Sequence, residues 1–474
     1  MSEQKTLVMK FGGTSVGSID ALKSVVQIIR DAKKDWSRIV VVTSAMSGVT
    51  NLLLDSAAAA SQGKVDSLPQ IAATLREKHF NVAEALIQNS IKRDQVIAEI
   101  DNLIFTLVDL CKAIAVLGEA SPRAMDTVAS LGERMSVRLL GAVVNDAGIK
   151  AKSIESTGFI VTNAHYQNAH PDFKVTIEKS RAELNPLMDQ GMIPITTGFI
   201  GATPDGTITT LGRGGSDYSA AIIGAVLPAD EVWIWTDVDG VMTTDPRIVK
   251  EAKTLPEISY SEIAELAYYG AKVLHPKTIR PVVDAGIGLR ICNTFNPANP
   301  GTRLIANTKV NGKVNGKVVK AVTAIRNQRL VTIEGRGMLG VPGVAARAFG
   351  AVASTKTSVP LITQASSEQS ICFAVPTESA QPVIDALQSV FSREIEDQDI
   401  DRVWMTEDVS IITVVGVGMR HTPGVAGQVF SQLGNSKANV LAIAQGSSEV
   451  SISLVVDAAD TENAVKALHE LIVH

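Results

Sequence analysis

A chain of 474 residues with 45% apolar and 20% charged side chains can bury full cores, which excludes wholesale disorder and suggests two to four domains. A net charge of −5 with only 4% aromatic residues supplies neither a basic stripe nor a stacking groove, so nucleic acid is excluded as a partner. Its apolar runs are too short to span a bilayer and none forms a secretory leader, so no membrane role is expected and the cytoplasm is the expected compartment.

From the N-terminus, residues 7–11 read as a strand buried on both faces, and residues 21–31 as a helix. Between them runs Lys10-Phe11-Gly12-Gly13-Thr14-Ser15. Two glycines after a strand let backbone N–H groups face an anion at a helix N-terminus, and the lysine adds a point charge. The lysine precedes the glycines, so this is not a Walker A loop. On pattern alone, a plain tight turn accounts for the same residues. Further strands are expected at 39–43, 193–200 and 232–236, with a helix over 126–146. This alternation predicts an α/β fold, a mainly parallel sheet sandwiched by helices.

The stretch 209–217 sets Arg213 and Asp217 among three glycines. Arg213 could pair with a substrate carboxylate and Asp217 could receive an ammonium group; a solvated turn with a surface ion pair is the alternative. Residues 235–247 leave an apolar strand with Asp237, Asp239 and Asp245, at the kind of edge where open parallel sheets bind ligands. Their spacing is not that of a calcium loop, and no protein metal site is expected. Helix capping and turn formation remain open for Asp237 and Asp239. His275, alone before a proline, is given no chemical role. Cys111, Cys292 and Cys372 are scattered and odd in number, which fits buried thiols in a reducing compartment.

Residues 307–317 are polar and Gly/Asn-rich, as in a linker or an exposed hairpin. Beyond them the chain repeats itself. Thr332 and Thr413, Pro342 and Pro423, and Gln364 and Gln445 all lie 81 residues apart, each pair inside a matching motif. Each copy reads strand, Gly turn, helix, strand, tight turn, strand, helix: a small α+β unit. The run from Gly335 to Gly340 matches GxGxxG, but the second copy has His421 at the third glycine position. A dinucleotide site needs that glycine, so a turn approaching a small ligand is expected instead.

Six motifs in order resemble the aspartate kinases of the amino-acid kinase superfamily: residues 10–16 (KFGGTSV), 44–51 (SAMSGVTN), 130–136 (SLGERMS), 210–218 (TLGRGGSDY), 235–247 and 270–276. The C-terminal repeat resembles the paired ACT domains that follow that catalytic domain. The resemblance implies a three-layer amino-acid-kinase sandwich over 1–305 and a linker at 306–327 with a strand completing the second ACT unit. The ACT units themselves would fall at 328–400 and 401–474. It implies that Lys10 contacts the transferring phosphoryl group, that Gly12 and Gly13 cradle phosphate oxygens, and that Ser44 lies at the reacting centre. Thr50, Glu133, Arg213 and Asp217 would hold aspartate; Thr236, Asp237, Met242, Arg247 and Lys272 would contact ATP. Met242 stands where the family often has tyrosine and would offer a softer apolar contact. Mg²⁺ is expected to ride on the nucleotide.

The chemistry agrees with the residue types, because a carboxylate acceptor is already nucleophilic and needs positioning more than a general base. The implied activity is ATP-dependent phosphorylation of L-aspartate, the first step of lysine, threonine and methionine biosynthesis. Threonine is the favoured feedback inhibitor and lysine the second, with Gln364 and Gln445 as effector contacts; a β-turn accounts for these glutamines equally well. A homodimer or a dimer of dimers through the ACT units is expected, and a fused homoserine dehydrogenase is not. Rival readings are a sibling kinase acting on glutamate or acetylglutamate, and a non-catalytic amino-acid sensor.

Overall fold

The computed structural model describes residues 5–270, 274–306, 318–338, 341–364, 369–445 and 450–473. The chain divides into two compact units. One contains the residues up to Val241, Pro256–Ile258 and Leu274–Ala306; the other contains Met242–Leu255, the stretch following Ser259, and the C-terminal region.

The first unit opens with β1 (Thr6–Phe11), buried along its whole length, and α1 (Ile19–Ala32), whose N-terminus is capped by the Ser18 hydroxyl accepting from Ala21 N–H. Then follow β2 (Arg38–Thr43), α2 (Val49–Ala60), α3 (Leu68–Leu86), α4 (Ser90–Leu117) and α5 (Pro122–Asp146). α4 stops at Gly118, whose φ of 73° a side chain would resist, and α5 restarts behind a Ser121 cap with proline at its first position. The chain continues through β3 (Ala151–Ile154), α6 (Phe173–Asp189), β4 (Ile193–Thr197), β5 (Ile200–Ala202), β6 (Ile208–Thr210), α7 (Gly215–Val226) and β7 (Glu231–Thr236). After β8 (Glu257–Ser259) and α8 (Tyr260–Tyr268), it completes this region with α9 (Pro276–Asp284), β9 (Gly288–Asn293) and β10 (Thr302–Ile305).

Eight strands form one sheet in the order β3-β4-β2-β1-β7-β9-β10-β8. The pairs from β3 to β9 are parallel, and β10 runs antiparallel to β9. The central strands are apolar on both faces because helices cover both, and α1 to α5 contribute most of one large core. The single strand expected at 193–200 is two. Gly198 and Phe199, the latter at φ 65°, break it, and β5 turns away to pair with β6.

In the second unit, β11 (Ala321–Glu334) is shared by both repeats. Its first half pairs antiparallel with β15 (Val409–Val415) and its second half with β13 (Ser370–Pro376), across a register shift between Ile325 and Gln328. The first repeat adds α10 (Val344–Ser354), β12 (Leu361–Gln364) and α11 (Thr377–Val390). After the short α12 (Ser392–Glu396) and β14 (Arg402–Met405), the second adds α13 (Val425–Asn435), β16 (Ala442–Ala444), β17 (Ser451–Asp457) and α14 (Thr461–Val473). One antiparallel sheet, ordered β12-β13-β11-β15-β17-β16 with β14 also on β11, carries two separate cores under the two helix pairs.

The glycines of the repeated turn serve the chain itself. A side chain at Gly335 or Gly337 would collide with the backbone of Asp399, and one at Gly416 with the carbonyl of Val318. Close backbone packing accounts for the glycines of the GxG pattern. α8 lies in this unit. The Glu262 carboxylate, fully buried, accepts from Ser259 N–H at 2.8 Å and Val417 N–H at 2.9 Å and pairs with Lys320 at 3.0 Å. Of the three cysteines, Cys111 and Cys292 are buried; Cys372 is only partly covered, because it sits on the half-open face of β13.

Candidate active site

Parallel strands bring their C-terminal ends to one edge of the sheet, and there the turns after β1 and β2, with Phe199 after β4 and the loop after β6, build a cavity of about 580 Å³. That volume suits a small metabolite; ligand pockets span roughly 300–1,000 Å³. Gly13 fits only as glycine, since a Cβ would lie 2.9 Å from the Ala45 carbonyl oxygen. Its own carbonyl accepts from Ser47 N–H at 3.0 Å, which ties the turn after β1 to the turn after β2. On the opposite wall, Gly212 and Gly214 adopt φ of 81° and 70°, and α7 begins at Gly215 with Asp217 in its first turn.

The charges are arranged in opposition. Lys10 Nζ lies 2.6 Å from Asp217 Oδ1, both side chains largely buried. The ammonium folds back over Gly12, where a Cβ would sit 3.4 Å from it. Glu133, on α5, is 3% exposed; Oε1 accepts from Ala45 N–H at 3.2 Å while Oε2 has no hydrogen-bond partner among the described residues. Burial pushes its carboxyl up to about 8, against the pull of the Ala45 N–H. Arg213 is exposed at the cavity wall and has no ion-pair partner among the described residues. A lone buried carboxyl facing a cavity that also presents a free guanidinium suits a ligand carrying both an ammonium and a carboxylate.

Lys10, Gly13, Ser44, Thr50, Glu133, Arg213 and Asp217 all line this one cavity. Gly12 lies beside it, its N–H donating to Trp235 O at 3.1 Å, so Thr236 and Asp237 follow at the same sheet edge without lining it. Met242 and Arg247 fall in the second unit, where Arg247 is exposed and held by its neighbour Asp245 at 2.6 Å. Lys272 lies outside the described residues. No three His, Cys, Asp or Glu side chains gather into a cation cage among the described residues.

Sequence reasoning missed Asp126, Gln167 and Phe199, which also line the cavity. Asp126 is buried and accepts hydrogen bonds from residues 41 and 84 positions away, for which no local signal exists. In the second unit, Gln364 borders a smaller cavity of about 390 Å³ with Met338 and Pro342. Gln445 is exposed just past the end of β16. The Ser-Ser-Glu triplets after both glutamines lie outside the described residues.

Comparison with known proteins gives this architecture a family. The model of the amino acid kinase family matches residues 5–293, and the ACT domain model matches 331–391 and 412–471. The chain belongs to the amino acid kinase family. It is 38% identical over 466 residues to a bifunctional aspartokinase/homoserine dehydrogenase 2 of Arabidopsis thaliana, covering 98% of this chain and 50% of that protein. The chain thus spans about half the length of the first curated relatives it matches. To the lysine-sensitive aspartokinase 3 of Escherichia coli it is 34% identical, over 98% of both chains. Crystal structures of E. coli aspartokinase III, 32% identical, cover 99% of this chain and 100% of theirs. The TM-score is 0.77 for the complex with aspartate and ADP and 0.78 for the complex with lysine and aspartate. Within the family, its branch is that of the aspartokinases with C-terminal ACT domains.

Proposed function

We propose that the chain is an aspartate kinase, transferring the γ-phosphoryl group of ATP to the β-carboxylate of L-aspartate to give 4-phospho-L-aspartate. The observation that carries this reading is the unpartnered Glu133 oxygen in the same cavity as the exposed Arg213. One accounts for an α-ammonium and the other for a carboxylate. A complex of E. coli aspartokinase III with aspartate and ADP supports it.

Gly13 leaves room that a side chain would fill, and Lys10 adds a cation beside it, so the turn after β1 fits the phosphates of ATP. Mg²⁺ arriving with the nucleotide would neutralise phosphate charge. Asp217 holds the Lys10 ammonium over Gly12, Ser44 and Thr50 border the acceptor, and Arg213 fixes its carboxylate. The acceptor oxygen is already anionic, so no residue needs to take its proton. Thr236, Asp237, Met242, Arg247 and Lys272 remain proposed nucleotide contacts.

The reading extends to the first step of lysine, threonine and methionine biosynthesis in the cytoplasm, in a homodimer formed through the ACT units. Threonine is the first candidate inhibitor and lysine the second, with Gln364 and Gln445 as effector contacts. Lysine gains support from the complex of the E. coli enzyme with lysine and aspartate. The test is trapping of acyl phosphate by hydroxylamine in the presence of MgATP. Hydroxamate is expected with aspartate but not with glutamate or acetylglutamate, falling when threonine or lysine is added. Hydroxamate only with another acceptor would move the chain to a sibling kinase; none with any acceptor would favour a sensor.

A further inference from the structure

The buried carboxylate of Asp126 is left without a task by this account, although it borders the cavity. It is 1% exposed and sits in the second turn of α5. Both its oxygens accept from Gln167 N–H, at 3.1 and 3.0 Å; Oδ2 also accepts from Thr210 N–H at 2.8 Å and Oδ1 from the Thr210 hydroxyl at 2.8 Å. A buried carboxylate that takes four hydrogen bonds from three donors on two distant segments is an expensive device if it only fills space.

Those two segments also hold each other. Ala169 N–H donates to Thr210 O at 2.9 Å, and a side chain at Gly212 would meet Gln167 O at 3.0 Å. Gln167 takes φ 66°, a strained value for a residue with a Cβ, to bring its N–H onto Asp126. The strap containing Gln167 and Ala169 is therefore clamped on the start of the glycine-rich stretch that presents Arg213. Leu211, buried with its N–H on Phe199 O at 2.9 Å, anchors the same stretch, but Gly212 and Gly214 on either side of Arg213 lie in the left-handed region and carry no side chains to pack.

We infer that Asp126 is a positioning residue: by pinning the strap and Thr210 together it fixes the loop that aims Arg213, and so sets affinity for the carboxylate acceptor without touching it. This rests on the aspartate reading above. It also predicts a selective defect. The phosphate-binding turn after β1 makes none of these bonds, so ATP should be spared.

The experiment measures KM for aspartate and for ATP in Asp126→Asn, together with calorimetric titration of aspartate without nucleotide. Asparagine keeps the shape but turns an NH₂ group toward backbone N–H donors. KM and Kd for aspartate should rise roughly 10- to 100-fold, with KM for ATP within about twofold. Thr210→Val, which removes a single bond to Asp126, should raise KM for aspartate several-fold and carries the test if Asp126→Asn does not fold. Equal losses for both substrates, or unchanged aspartate affinity in a folded variant, would overturn the inference. Aspartate binding by the wild type with no selective defect in the variants would sink this inference alone; no aspartate binding by the wild type would sink the substrate reading with it.

Discussion

Glu133 shows how burial prepares a side chain for a ligand. Its carboxyl, pushed up to about 8 by burial, is largely protonated at pH 7, and a substrate ammonium beside Oε2 would favour the ionised form. Aspartate binding at pH 7 should therefore release a proton, seen as a binding enthalpy that changes with the ionisation enthalpy of the buffer. In Glu133→Gln that dependence should vanish and KM for aspartate should rise at least about tenfold. The stability linkage has a defined sign. The folded pKa lies above the unfolded one, so the protein loses stability as pH rises from about 4.5 to 8, and Glu133→Gln should flatten that loss in urea titrations without aspartate. The residue was legible in sequence only through its motif. Nothing in spacing or composition says that Glu133 is the one buried without a second partner, because that depends on the turn after β2 meeting α5.

At the scale of elements, the glycine-rich loops were the readable part, and the reason is steric. Gly13 faces the Ala45 carbonyl at a distance no side chain tolerates, and both atoms are backbone. Gly13→Ala should cost about 1–3 kcal/mol of stability and lower turnover, checked by thermal melting and steady-state kinetics. The shared β11 was harder to see. An unbroken β-rich run does not reveal that its halves pair with different partners, and only the shift between Ile325 and Gln328 separates the two repeats. The Glu262–Lys320 pair was invisible, since its members lie 58 positions apart. Both are buried, so Lys320→Met, which strands Glu262 without its cation, should cost about 3–5 kcal/mol. The double change with Glu262→Gln should recover part of it, measured as the melting of the second unit by calorimetry.

For the whole molecule, the strand–helix alternation and the 81-residue repeat make the two-part organisation readable in the sequence. The division by packing differs from the division by order along the chain. Residues 242–255 and 259–270 fall in the second unit, although sequence order places them within the kinase region. Proposed nucleotide contacts Met242 and Arg247 are among them, whereas the proposed acceptor contacts Glu133, Arg213 and Asp217 all belong to the first unit. Sequence motifs record which residues are needed for chemistry but not which compact unit carries them.

The most direct measurement is aspartate hydroxamate formed with MgATP and hydroxylamine by the wild type and by Arg213→Ala. Aspartate-dependent product is expected from the wild type, with a fall of about 100-fold or more in kcat/KM for aspartate in the variant and KM for ATP little changed. No aspartate-dependent hydroxamate from the wild type, or an Arg213→Ala enzyme as active on aspartate as its parent, would contradict the aspartate reading.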